Sequence, residues 1–373
     1  MDGVPVHRNQ LILGIESSCD ETAAAVVDGA MEVRSSVVAS QHDLHAEYGG
    51  VVPEIASRAH LERILPVVRK ALSEADVSVG QLAAVAAGVR PGLIGSLLVG
   101  ASAAKGLAFG AMLPFYAVDH VAAHLFAGLL RPTGAGEPPA GADRFPALGL
   151  VVSGGHTSLF HLETSGRCEL IGRTIDDAVG EAFDKAAVML GLGHPGGPNL
   201  ERCARGGDPG AMAFPLPRLA SPLDFSLSGL KTKLLYEIRG VPRGRGAAAS
   251  FERDHLALTE GRRRDLAASF QRAAIAQVLD RLDAARARFE TRCLFVGGGV
   301  VANESLRAAL HGWASRNGCG LVLPEAAFCV DNAAMIAGHA QIRRAAGERG
   351  DPLSVPTEPV SLLARGAHPR RVH

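Results

Sequence analysis

Apolar positions along this chain follow two periods. LILGIESSC (11–19) and TAAAVVDG (22–29) are short, nearly continuous apolar runs, the pattern of strands buried on both faces. A polar turn at Asp20 and Glu21 separates them, and a third strand is expected at 31–40. After Pro53, well suited to a first helical turn, apolar residues continue on one helical face from Leu61 to Leu72. Pro66 should kink or divide that helix, because proline removes a backbone donor and crowds the preceding turn. Then come a strand, QLAAVAAG (81–88), a glycine loop, RPGLIGS (90–96), a helix to about Phe109, the strand PFYAVDH and a helix carrying His124.

The second half opens the same way. LVVSGGHTSLFHLET (150–164) reads as strand, small-residue turn and strand, and its Thr157 answers Thr22 in the first half. FVGGGVVANESLR (295–307) answers PGLIGSLLVG as a strand and glycine loop feeding a helix. Such an internal repeat predicts an α/β protein of two duplicated lobes. The expected division is a first lobe over 1–130, a Pro/Gly-rich linker over 131–145, a second lobe over 146–345 and a tail over 346–373. A segment at about 176–290 is specific to the second lobe. Gly, Ser and Thr at the repeated turns suit phosphate binding by backbone amides, with the ligand between the lobes; two ordinary hairpins would read the same way.

Composition narrows this picture. The chain has 373 residues, 44 of them glycine, with 47% hydrophobic and 5% aromatic residues, which suits a layered α/β protein. Its formal net charge is zero, so contact with nucleic acid must come from a local patch or a partner. The stretch from Arg239 to Arg264 could supply one, or be a solvated loop. Six cysteines (19, 168, 203, 293, 319 and 329) show no C-x-x-C pair and read as reduced thiols. The first ten residues are too short and polar for a signal peptide, and no apolar run approaches the length of a membrane span, so a cytoplasmic protein is expected.

The candidate chemistry centres on VDHVAAH (118–124). His120 and His124 lie one helical turn apart, so their rings can converge on one point. The protease pattern H-E-x-x-H is absent, because Val121, Ala122 and Ala123 fill the interval and no general base is present. Asp331, in CVDNAAMIA, is either the third ligand of a two-His, one-carboxylate site for Fe(II) or Zn(II) or the cap of a following helix. Asp184 in GEAFDKAA suits a ribose hydroxyl or a solvated helix surface. Gly196 and Gly197 allow close approach of a base or sugar or mark a helix entry, with Glu201 one turn on. Asn303 either caps a helix or reaches a nucleotide.

In their order these stretches resemble the universal tRNA threonylcarbamoyladenosine transferases, formerly called glycoproteases. GIESSCDETAAAVVD, HAEYGGVVPEIASRAH, PGLIGSLLVGAS, H-x-x-x-H, LVVSGGHTSL, IDDAVGEAFDKAA, GGPNLE, DFSLSGLKT, GGVVANESLR and CVDNAAMIA carry the likeness from about residue 11 to 340. The resemblance implies RNase H-like lobes of the actin, Hsp70 and sugar-kinase (ASKHA) type. It also implies transfer of a threonylcarbamoyl group from threonylcarbamoyl-AMP to the exocyclic amine of adenosine 37, beside the anticodon, in tRNAs reading codons that begin with A. By the family pattern, His120, His124 and Asp331 would bind one divalent metal, Fe(II) before Zn(II). Val151, Val152, Ser153, Gly154 and Gly155 would cradle the phosphate, while Asp184, Gly197, Glu201 and Asn303 would hold the adenosine. Asp20 or Glu21 would be the base for the acceptor amine or would position tRNA. The implied partners are tRNA, a shorter ASKHA paralogue and a small P-loop ATPase, with no membrane.

Two departures stand out: Arg90 where the family usually has glycine, and Ala122–Ala123 where Glu-Gly is common. The rival readings are a metal-dependent carbamoyltransferase acting on a small molecule and a kinase or ATPase of the same fold. A kinase needs a catalytic Asp in the phosphate turn, where this chain has SGGHT.

Overall fold

The computed structural model describes residues 10–46, 48, 51–135, 144–241, 258–361 and 363. Two five-stranded sheets form its frame. The first contains β1 (Leu11–Glu16), β2 (Glu21–Val27), β3 (Val33–Ser40), β4 (Leu82–Arg90) and β5 (Phe115–Asp119), in the spatial order β3-β2-β1-β4-β5. The second contains β6 (Ala147–Val152), β7 (Thr157–Thr164), β8 (Arg167–Arg173), β9 (Cys293–Gly297) and β10 (Gly320–Val322), in the order β8-β7-β6-β9-β10. Each sheet therefore has three antiparallel strands followed by two parallel ones, and the expected repeat is realised strand for strand.

Helices cover both faces of both sheets. The outer face of the first sheet carries α2 (Pro53–Glu74) and α3 (Ile94–Ala111), reached after the short α1 (His42–Ala46). The outer face of the second carries α5 (Val179–Met189), α6 (Gly196–Ala204), α7 (Ser228–Arg239), α8 (Glu260–Arg286) and α9 (Glu304–Asn317). Between the sheets lie α4 (His120–Phe126) and α10 (Ala333–Ala345). Here α4 packs on β6 and β9, α10 packs on β1 and β2, and the two helices touch. This places α4, from the first half of the chain, against the second sheet, and α10, from the second half, against the first.

Several elements differ from the sequence expectation. β1 ends at Glu16, so Ser17, Ser18 and Cys19 belong to the turn, while Glu21 already begins β2. β4 runs on to Arg90, which therefore ends a strand rather than opening the glycine loop. Pro66 does not divide α2. Proline costs that helix one backbone bond, but Ala56, Ala59, Ile64, Val67, Val68 and Ala71 bury a continuous stripe against β2, β3 and α3. α3 corrects the expectation that no apolar run reaches spanning length, being 18 residues long with mean hydropathy 1.4. It packs on β4 and α2 as a partly buried helix of the first sheet, in which small residues permit close approach.

Candidate metal centre and ligand cleft

The end of β5 feeds directly into α4, and Asp119 caps that helix by accepting from the backbone N–H groups of Val121 and Ala122 at 3.0 and 3.3 Å. This cap fixes the turn on which His120 stands, and His124 follows one turn later on the same face. Asp331 arrives from the loop before α10. It does not cap that helix, because Asn332 does so by accepting from Met335 N–H at 3.0 Å. The cap reading of Asp331 is thereby set aside, and its carboxylate stands beside the two imidazoles.

His120 Nε2 lies 3.2 Å from His124 Nε2, and Asp331 Oδ1 lies 3.1 Å from His124 Nε2 and 3.5 Å from His120 Nε2. Bonds of about 2.1 Å directed to tetrahedral positions leave donor atoms about 3.4 Å apart. These three edges therefore match a triangle of ligands around one cation, with further coordination positions open toward the cleft. Two imidazole nitrogens and one carboxylate oxygen suit Fe(II) or Zn(II) better than Mg²⁺.

Behind the triangle is a residue that the sequence reading passed over. Glu16, 1% exposed at the end of β1, places Oε2 3.0 Å from His120 Nδ1. The N–H at Nδ1 donates to this carboxylate, which turns the Nε2 lone pair toward the other ligands. Ser18 Oγ is 3.3 Å from the same Nδ1, and Ser18 N–H donates to Glu16 Oε1 at 2.5 Å. The available signal was a carboxylate ending an otherwise buried apolar strand, since an ionised group is buried only with a partner. Burial alone would depress His120, but Asp331 and Glu16 outweigh it and hold its imidazole well above the ordinary value. Burial would likewise raise Asp331, yet His120 and then His124 pull its carboxyl well below the usual range.

The triangle opens into a cleft of about 520 Å³. Asp20 and Glu21 line one side of it, with Ser153, Gly154 and Gly155 opposite. Burial, followed by the charges of Asp20 and Asp331, pushes Glu21 up to about 8. His156, also on the cleft wall, is pushed down to about 4 by burial and by His120 and His124. Val151 and Val152 are fully buried in β6, so they carry the turn and do not line the cleft.

The β1–β2 and β6–β7 turns are both held through threonine hydroxyls. His60 of α2 meets Thr22 Oγ1 at 2.8 Å and the Cys19 carbonyl at 3.0 Å, while Thr157 Oγ1 accepts from Val179 N–H at 2.9 Å. An adjoining pocket of about 190 Å³ gathers Asp184, Gly197, Glu201 and Asn303. Gly197 N–H donates to Asp184 Oδ1 at 3.0 Å, and Glu304 N–H donates to Glu201 Oε1 at 2.7 Å. Asn303 lines this pocket and also caps α9, accepting from Leu306 N–H at 2.9 Å. Gly196 and Gly197 form the first turn of α6, the helix-entry alternative. In the basic stretch, residues 242–257 lie outside the described residues; Arg262 pairs with Glu237 and Arg264 with Glu260.

Residues 32–338 match the family model described as TsaD: tRNA N6-adenosine threonylcarbamoyltransferase. A protein of that name from Symbiobacterium thermophilum is 50% identical over 91% of this chain and 94% of its own length. The namesake from Trichlorobacter lovleyi is 48% identical over 88% of this chain and 90% of its own length. Among solved structures, HypF of T. kodakarensis is 15% identical, with a TM-score of 0.54 over 92% of this chain and 48% of that one, a likeness of fold alone. With the paired sheets, it makes this an actin-like fold of the ASKHA type.

Proposed function

The chain belongs to the tRNA N6-adenosine threonylcarbamoyltransferase family, and from that premise we propose that it transfers a threonylcarbamoyl group from threonylcarbamoyl-AMP to the exocyclic amine of adenosine 37. The acceptors are tRNAs reading codons that begin with A, AMP is released, and the enzyme works in the cytoplasm. The observation that carries this reading is the His120–His124–Asp331 triangle opening into a cleft that adjoins the Asp184–Asn303 pocket. The donor is a mixed anhydride and already activated, so the site needs no hydrolytic base, in keeping with alanines between the histidines.

His120, His124 and Asp331 would hold the metal, Fe(II) before Zn(II), which when bound supplies Lewis-acid stabilisation of charge developing on the anhydride. Glu16 keeps His120 in the ligating tautomer. Asp184, Gly197, Glu201 and Asn303 hold the adenosine portion, and the Ser153–Gly155 turn, whose Ser153 N–H is spent on the His156 carbonyl at 2.8 Å, offers the backbone N–H groups of Gly154 and Gly155 to the phosphate. Asp20 or Glu21 takes the proton from the acceptor amine or positions the tRNA. The acceptor lies in a single-stranded loop, where a base can be splayed out without melting a duplex. For the shorter paralogue, the docking surface we favour is the outer face of α2 and α3, where Leu61, Leu65, Leu98 and Phe109 stand exposed. The P-loop ATPase is the third component.

The test incubates the chain with these partners, a threonylcarbamoyl-AMP synthase, threonine, bicarbonate, ATP and unmodified tRNA, followed by mass spectrometry of the digested tRNA. Threonylcarbamoyladenosine should appear with the intact chain and be absent with His120→Ala/His124→Ala. Unmodified tRNA in the presence of threonylcarbamoyl-AMP and all partners would favour a small-molecule acceptor instead.

A further inference from the structure

Beyond α10 the chain turns back and follows the free edge of the first sheet, where β5 is the outermost strand. Asp351 N–H donates to the Phe115 carbonyl at 2.7 Å, and Ala117 N–H donates to Asp351 Oδ2 at 2.8 Å. Tyr116 Oη donates to the Glu348 carbonyl at 2.7 Å, and Arg343 binds both Asp351 and the Ala117 carbonyl. An open edge strand leaves backbone groups unpaired, and here the returning chain and Arg343 satisfy them. Further on, Lys105 of α3 donates to the Val355 carbonyl, and Glu358 is joined to Val89 and Arg90 at the end of β4.

This strap arrives at the residue that precedes α4. Ser361, 7% exposed, donates from Oγ to Asp119 Oδ2 at 2.5 Å and accepts from Leu363 N–H at 3.1 Å. The other oxygen of Asp119, Oδ1, is the cap of α4. One carboxylate therefore joins the strap to the helix that carries His120 and His124. Leu363 packs on the apolar cluster that contains Val121, Leu125 and Phe126 of the same helix. α4 has seven residues, all buried, and a helix that short is not held in place by its own hydrogen bonds.

We propose that Ser361 is a positioning residue for the metal centre: through the Asp119 cap, the C-terminal strap sets where α4 begins and so where His120 and His124 present their nitrogens. The proposal rests on the metal-ligand reading above. Ser361 reaches the ligands through Asp119 and the helix, not by touching a ligand atom. Without its hydroxyl the two sheets still close, but the start of α4 is free to take up several positions. Only one of these brings both Nε2 atoms to the Asp331 carboxylate. The apparent metal affinity then falls in proportion to the time spent away from that position, which is the cost that preorganisation removes.

Ser361→Ala and Ser361→Thr in the full chain test it, with Zn(II) as the probe. Affinity is measured by competition with a chromophoric chelator, and stability by the urea midpoint. Ser361→Ala should bind Zn(II) about 10-fold more weakly, the low end of the loss that follows removal of a partner behind a metal ligand. Ser361→Thr keeps the hydroxyl and should bind close to the wild type. A lower urea midpoint in Ser361→Ala with unchanged Zn(II) affinity would make the strap a cover for the sheet edge alone; it overturns the proposal and leaves the ligand reading intact. Equal weakening in both variants overturns the hydrogen bond to Asp119 as the cause. If His120→Ala/His124→Ala binds Zn(II) as tightly as the wild type, the ligand reading falls and the role of Ser361 falls with it.

Discussion

His120 makes two commitments with one ring: Nε2 faces His124 and Asp331, and Nδ1 faces Glu16. Replacing Glu16 by Gln keeps the shape but removes the charge that selects the tautomer. Metal affinity should drop about 10- to 100-fold, measured by competition with a chromophoric chelator, while the circular dichroism spectrum stays that of the wild type. Equal affinities in the two proteins would mean that Glu16 does not act through His120. On the proposed ligand set, Asp331→Ala removes one of three donors, and the purified variant should carry no metal by elemental analysis. H-x-x-x-H was legible in the sequence because ligand types at helical spacing point to a shared target, whereas Asp331, 207 positions from His124, was open to two readings and joined them only through the family resemblance. Glu16 was not legible, because its partner lies over a hundred positions away and only the parallel pairing of β1 with β4 and of β4 with β5 brings them together.

At the scale of elements, the site depends on two helices entering the space between the sheets at fixed depth. Gly297, the last residue of β9, has no room for a side chain because a methyl there would land on the His124 carbonyl. Gly297→Ala must push α4 outward and shift His124, costing about 1–3 kcal/mol and lowering metal affinity as well; chemical denaturation and metal titration read the two effects separately. Asn332→Ala removes the cap of α10, with an expected loss of about 1 kcal/mol, visible as a lower denaturant midpoint. The C-terminal segment at Glu358, whose N–H donates to the Val89 carbonyl at 2.9 Å and whose carboxylate pairs with Arg90 Nε at 3.2 Å, is a third element of this kind. Arg90→Gly should lose up to about 1 kcal/mol and expose the tail near Val355 to limited proteolysis sooner than in the wild type.

Across the whole molecule, the middle layer couples stability to acidity. His339 of α10 is half-buried, with its ring stacked on Phe126 at 5.6 Å and Nδ1 shut away from solvent. Burial, and secondarily Arg343, pushes it down to about 3 from an ordinary value of 6.5. Between those two values the unfolded chain binds a proton that the folded chain refuses, so stability falls as pH drops from about 6.5 toward 3 and is unaffected by this group above 6.5. His339→Phe keeps the ring stack and removes the titration. The difference in urea midpoint between pH 7 and pH 5 should therefore be smaller in the variant than in the wild type; equal differences would locate the acid sensitivity elsewhere.

Short apolar runs, the two small-residue turns and their recurrence after the Pro/Gly-rich stretch determined the duplicated α/β architecture, because strand burial and turn chemistry are local properties written in consecutive residues. The same locality made the paired histidines and the cleft-lining glycines readable. Local pattern left open whether Pro66 divides α2, since the packing that carries the helix across it undivided comes from other elements. Only the tertiary structure decided that α4 and α10 exchange sheets, that Glu16 stands behind His120, and that Arg90 secures a tail from the far end of the chain beside the cleft. Those are contacts between residues distant in sequence, fixed by how two sheets close on a shared layer of helices, and no short stretch of sequence contains both partners.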